Sequence, residues 1–227
     1  MSRAQAERMR DVNVLGWYVY EGDHPVTDRY GIHAEAQWRR VRVITRWQQL
    51  LVRPALNVRV SSSVDAAIGY VYSRTYPYGD FRDPFPYPEH RAFEQVSFQQ
   101  QPGNWQLKHR IRLEQRFIGL LPEPPQPEVD GWRYQNRFRY SLSVRRDLSR
   151  ESYLRISMEP QIRFGIHYRG RAFDQHETGV AVGRELSSRF RMELAYVYRF
   201  GVPRTGRVYE HNHTLQLTIL SDAPLRR

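Results

Sequence analysis

The chain has 227 residues, a formal net charge of +11 and no cysteine. That length suits one domain with a sizeable core. The missing thiols exclude disulfides, thiolate metal sites and cysteine nucleophiles. No stretch approaches the roughly 20 consecutive apolar residues of a membrane helix. A β-barrel stays open, because only alternate residues of its strands need be apolar.

Lys108 is the only lysine, so the basic charge is almost wholly arginine. Such a chain can bind nucleic acid or anionic lipid. It can equally line a polar interior and pair with carboxylates there. Residues 1–11 read as an N-terminal extension, 12–220 as a single barrel domain and 221–227 as a tail. The first ten residues contain no apolar run and read as no secretory signal peptide. Because an outer-membrane protein is exported behind one, the membrane reading takes this sequence as a mature or partial form.

Eleven strand-like segments follow in chain order, near 12–20, 29–40, 46–60, 64–74, 89–100, 104–118, 131–145, 152–164, 172–184, 188–201 and 208–220. Period 2 dominates them. Residues 30–39 and 50–60 already alternate. In 105–117, Trp105, Leu107, Ile111, Leu113 and Phe117 share one parity, while Gln106, Lys108, Arg110, Arg112, Glu114 and Arg116 share the other. Neighbours along a strand face opposite sides of a sheet, so one face is apolar and the other charged. The same division recurs in 132–144, 154–164 and 190–200. Bacterial outer-membrane barrels have even strand numbers. An odd count therefore means that one segment is not a strand or that another lies near the start. The expectation is an all-β, antiparallel up-and-down transmembrane β-barrel of about 12 strands, with 10 as the alternative.

Three features favour a membrane barrel over a soluble sheet. Many segments reach the roughly 9–11 residues of a tilted membrane strand. Aromatics gather toward segment ends, at Trp17, Tyr18 and Tyr20, at Tyr70 and Tyr72, at Trp132 and Tyr134, and at Tyr196, Tyr198 and Phe200, as interfacial girdles do. The charged face is too polar for a dry core. Connectors also alternate in length. Residues 61–63, 101–103 and the region of Arg146 and Asp147 are short links, whereas 75–88, 119–130 and 201–207 are long and mostly proline-rich. Short periplasmic turns and long external loops give this pattern.

Specific stretches then carry a resemblance. They include Trp17-Tyr18-Val19-Tyr20 with Gly22 and His24, His33-Ala34-Glu35-Ala36-Gln37-Trp38-Arg39, Arg53-Pro54-Ala55-Leu56 and Gly69-Tyr70-Val71-Tyr72. Glu89-His90-Arg91 and the most specific run, His109 to Phe117, follow, then Arg137-Phe138-Arg139-Tyr140 and Phe173-Asp174-Gln175. In order and spacing the chain resembles a family of bacterial outer-membrane β-barrels catalogued as a domain of unknown function. The resemblance implies an outer-membrane location and no particular activity. His176-Glu177 departs from the Asn-Arg expected there, which reverses a charge on an inward position.

The expected lumen set is Glu35, Arg53, Arg59, Glu94, Arg110, Arg112, Glu114, Arg116, Arg133, Arg137, Arg139, Arg155, Glu159, Arg163, Arg191, Glu193 and Arg199. Arginine suits such an interior, because it stays charged and pairs bidentately with carboxylates. The set reads either as an ion-pair network that locks a structural barrel or as a narrow anion-preferring channel. The partners expected are a lipid bilayer or detergent and small anions; nucleic acid is not, and the barrel reads as a monomer. His211-Asn212-His213 resembles a nuclease motif in letters, but no helix follows it, and an interfacial role fits better. Ser141, Ser143 and Ser157 have no local histidine and acid. No catalytic residue, metal or cofactor is assigned, and the chain leans away from being an enzyme. The other readings carried are a soluble basic β-barrel that binds nucleic acid or an acidic ligand, and a lipid-modifying enzyme. The tyrosine-rich loop 70–87 reads as a packed external loop.

Overall fold

The computed structural model describes residues 9–81, 83–165, 168, 170–202 and 207–225. They form eleven strands: β1 (Met9–Pro25), β2 (Tyr30–Val41), β3 (Arg46–Arg59), β4 (Val64–Thr75), β5 (Tyr87–Gln100), β6 (Trp105–Leu120), β7 (Gly131–Asp147), β8 (Ser152–Phe164), β9 (Phe173–Glu185), β10 (Phe190–Gly201) and β11 (Val208–Ser221). Each strand pairs with its sequence neighbours, and the sheet closes on itself. The antiparallel, up-and-down expectation therefore holds for every hairpin. It does not hold at the closure, where β1 pairs with β11 in parallel. An up-and-down barrel with an odd number of strands must close this way, since its first and last strands run in the same direction. Among the described residues the even strand number is thus not met.

The two rims differ. At one rim the connectors 26–29, 60–63, 101–104, 148–151 and 186–189 are all four residues long. They are tight turns; Leu148 N donates to Ser152 O at 2.9 Å and Leu186 N to Phe190 O at 2.8 Å. At the other rim only 42–45 is that short, and 76–86, 121–130, 165–172 and 202–207 are longer. Four residues of the last loop, 203–206, lie outside the described residues. β1 starts at the long-loop rim and β11 ends at the short-turn rim.

Outer and inner faces separate by parity. The outer face exposes Ile32, Val52, Leu56, Ile68, Ile111, Leu113, Ile156, Ile162, Val180, Val182 and Leu194. Rings border this band. Toward the long loops Trp47 stacks on Tyr76, His90 meets Tyr72 and Trp132, and Phe200 stacks on Tyr209. Toward the short turns stand Tyr30, Trp105 and Phe190. His211 and His213 belong to the outer face, where they pair with Tyr198 and Tyr196 hydroxyls at 2.7 Å, an interfacial position and not a nuclease site. Trp17, by contrast, turns inward and is buried, unlike its neighbours Tyr18 and Tyr20.

The interior holds little apolar material. Leu15, Trp17, Val19, Val41, Tyr78, Ala181, Ala195 and Val197 form one cluster, and Leu51, Ala55, Val71 and Phe93 another. Large inward rings lie over glycines on the neighbouring strand. A Cβ at Gly183 would meet the Tyr153 ring, and one at Gly69 the Phe93 ring. Tyr153 is almost fully buried, carries Arg145 over its face at 3.6 Å and donates to Glu193 Oε1 at 2.9 Å. Gly183→Val is expected to displace this ring and cost about 1–3 kcal/mol through overpacking. Urea unfolding in detergent micelles, with exposed Val182→Ala as the control, checks it.

Candidate functional site: the arginine–carboxylate lumen

The barrel encloses a cavity of about 1020 Å³ lined by residues of both rims. Asp28, Arg29, Lys108 and Asp222 stand at the short-turn end, and Phe81, Asp83, Val202 and Val208 at the other. Among the described residues, seventeen arginine or lysine and thirteen aspartate or glutamate side chains line it. The wall is therefore polar throughout and carries an excess of cations.

Ten charged side chains are joined in one relay that crosses β5 to β9. Arg91 Nε lies 2.8 Å from Glu89 Oε1, and Arg116 Nε reaches the same oxygen at 2.5 Å. Arg116 and Arg137 then share Asp174 Oδ2 at 3.4 and 3.2 Å. Arg137 Nη2 meets Glu114 Oε2 at 2.5 Å, and Arg139 Nη1 meets Glu114 Oε1 at 2.9 Å. Arg139 and Arg110 both pair with Glu159, and Arg163 joins at Asp174. Period 2 makes this possible: inward residues two apart on one strand interdigitate with those of the next. Two shorter arrays lie on other walls. Glu35 pairs with Arg53 and accepts from Gln37, and Glu193 pairs with Arg155.

The wall of β1, β2 and β10 is built differently. Arg39 lies over the Trp17 ring at 3.9 Å and Arg199 at 5.2 Å. Trp17 Nε1 donates to Gln48 Oε1 at 2.9 Å, which fixes the ring. Arg39 donates to Gln37 Oε1 at 2.7 Å, and Arg199 to the Tyr78 hydroxyl at 3.3 Å. Among the described residues neither has a carboxylate at ion-pair distance. Glu177 is the in-register neighbour of Arg199. Tyr78 reaches the lumen because the 76–86 loop folds inward. Gly79 makes that turn with φ +69°, and a Cβ there would meet the Asp11 carboxylate.

Fifteen of the seventeen expected lumen residues line the cavity. Glu114 lies deeper, fully enclosed by Arg137 and Arg139. Glu94 is the exception: it sits on the outer face, exposed, accepting from Gln115 Nε2 at 3.1 Å. On β5 the inward residues are Glu89, Arg91, Phe93, Gln95 and Ser97. A large aromatic thus occupies the lumen side and a carboxylate the outer side. If an apolar medium surrounds this face, Glu94→Leu is expected to stabilise the barrel by about 1–2 kcal/mol, since midplane acids cost less than the basic residues. Reversible unfolding in lipid vesicles measures it, and a loss of stability would return Glu94 to the interior.

The reading missed Arg39, Glu89, Arg91 and Asp174. Asp174 is inward because a bulge between Gln161 and Ile162 shifts the β8–β9 register. Ser141, Ser143 and Ser157 also face the lumen, yet among the described residues none hydrogen-bonds a histidine or carboxylate. Glu21, Asp23 and His33 bring donor atoms within 4.8 Å of one another near the short-turn rim. Asp23 Oδ1 is already engaged there by His33 Nδ1 and Asn57 Nδ2, each at 2.8 Å.

Comparison with known proteins agrees with the architecture. No curated protein matches the sequence. Among solved structures, the NanC porin superposes with a TM-score of 0.51 at 9% identity, over 85% of this chain and 90% of that one. A likeness at that identity concerns the fold. A family model described as protein of unknown function (DUF2490) matches residues 15–210. With barrel, polar lumen and sequence match in agreement over most of its length, the chain belongs to the DUF2490 family.

Proposed function

We propose that the chain is a bacterial outer-membrane barrel whose lumen is a narrow, anion-preferring passage. The observation that carries this is the cavity lined by residues of both rims, with its excess of arginine. Carboxylates neutralise one wall, while Arg39 and Arg199 line the cavity with no carboxylate at ion-pair distance among the described residues. A positive wall of low dielectric raises the local concentration of anions.

The membrane location is supported by the outer face. Large apolar side chains are exposed on every strand, and with the flanking rings they match a lipid-facing coat with two girdles. The porin likeness points the same way. Arginines turned inward are withheld from a polyanion outside, which disfavours nucleic-acid binding. A second reading, a purely structural barrel, is favoured by the relay itself, which ties side chains across the lumen.

Single-channel recording in a planar bilayer separates the two. Steady steps with an anion-selective reversal potential in a salt gradient are expected for the passage. Silence would assign the barrel to a scaffold. Recovery of a monodisperse monomer from buffer without detergent would overturn the membrane reading altogether.

A further inference from the structure

Arg39 and Arg199 each stand two residues before the long-loop end of their strands, β2 and β10. Their guanidinium carbons lie within 5.2 Å of one ring centroid, that of Trp17. Two cations so placed repel each other wherever the dielectric is below that of water. In the relay such crowding is met by a shared carboxylate, as Glu114 stands between Arg137 and Arg139. Around Trp17 no carboxylate of the described residues takes that place. The other charges bearing on Arg39 are Glu177, Glu35 and Arg91. Glu35 is held by Arg53, Arg91 pairs with Glu89, and Glu177 accepts from Gln175 Nε2 at 3.1 Å. Donors are left over as well. Arg39 uses only Nε, toward Gln37, and Arg199 only Nη2, toward Tyr78. Among the described residues their other nitrogens make no hydrogen bond, and none of those nitrogens is enclosed. A guanidinium lying on a ring keeps its edge free for a fork of hydrogen bonds.

We propose that Arg39, Arg199 and the Trp17 ring beneath them form a binding station for a phosphate dianion, free or as a small monoester. The station rests on the anion-passage reading for access to the lumen, and it gives that passage a substrate class. A halide offers no geometry that matches a fork. A monocarboxylate matches one guanidinium and leaves the second uncompensated. A phosphate group carries about two negative charges and three acceptor oxygens, enough for both guanidinium groups at once. Trp17 Nε1 is fixed by Gln48, so the ring holds the two cations in place before the ligand arrives, and little ordering is left to be done on binding.

Titration calorimetry of the full chain in detergent micelles tests this with inorganic phosphate, glycerol phosphate, acetate and chloride. Ionic strength is held constant at about pH 8, where the phosphate group is a dianion. Saturable binding of one phosphate per barrel is expected, at least about tenfold tighter than acetate, the step worth one charge-assisted hydrogen bond. Glycerol phosphate binding as tightly as inorganic phosphate would mark the monoester as a ligand, and inorganic phosphate binding alone would mark the free ion. Arg39→Lys keeps the charge but loses the fork, and is expected to weaken phosphate roughly tenfold. Arg39→Gln/Arg199→Gln should abolish binding. Arg184→Gln removes a cation that pairs with Glu151 on the outside of the barrel and should change nothing. Equal affinity of the unaltered chain for phosphate and acetate would overturn the proposal, and needs no variant to fold. So would a loss in Arg184→Gln as large as that in Arg39→Lys. Conductance of the same barrels keeps the two readings apart. Anion-selective steps without phosphate binding would remove the station and leave the passage, whereas binding without conductance would uphold the station and remove the passage.

Discussion

Glu114→Ala is expected to lower the unfolding free energy by about 3–5 kcal/mol, the range for removing one partner of a buried ion pair. Glu114 is the central anion of the relay and holds Arg137 and Arg139 at 2.5 and 2.9 Å. It is almost completely buried, so water cannot take its place without the wall opening. Alanine would leave two guanidinium groups competing for Asp174 and Glu159, each of which already serves other arginines. Glu114→Gln keeps an acceptor and the shape but removes the charge, so it should lose less. Urea titration of the micelle-bound barrel gives both values. Equal, sub-kcal losses for the two variants would mean that the relay contributes shape alone.

The larger functional effect is expected from the opposite wall. Arg39→Glu/Arg199→Glu should convert an anion-preferring passage into a cation-preferring one, moving the permeability ratio by roughly tenfold, about 1.4 kcal/mol at the selective point. Both guanidinium groups line the cavity beside Trp17, and neither has a carboxylate at ion-pair distance among the described residues. Reversing them therefore changes the field in the lumen without breaking a pair. Reversal potentials in a salt gradient measure the effect. An unchanged sign would place selectivity elsewhere along the wall. Arg137→Glu is the contrasting variant, since it attacks the relay and should destabilise the barrel before it alters selectivity.

Where the two faces of a strand differ in kind, sequence was enough. On β6, β7, β8 and β10 one parity is charged and the other apolar, so every expected lumen residue on those strands lies on the inner side. β5 could not be read this way. Phe93 and Glu94 exchange the usual faces, and charged residues occur on both parities, so alternation marks neither Glu89 nor Arg91 as inward and does not mark Glu94 as outward. Trp38-Arg39-Arg40 hid Arg39 for the same reason. Asp174 was concealed by a bulge, which breaks period 2 within a strand and leaves no mark in composition. Trp17 was grouped with the rings beside it, although a small lumen needs some bulk to position its cations. Strand number depends on a still less local property. Each strand announces itself, but how the first meets the last depends on the whole chain.

The relay also has a mechanical meaning. Strands β1 to β4, β10 and β11 are held to their neighbours chiefly by main-chain ladders and a few side-chain pairs. The five strands β5 to β9 are riveted together by shared carboxylates, each bound to at least one guanidinium group from another strand. A load applied to either chain end would peel hairpins away in turn until it reached this block. There the next hairpin could not leave without tearing several ion pairs at once. The barrel is in effect a stiff half-shell with a compliant wall.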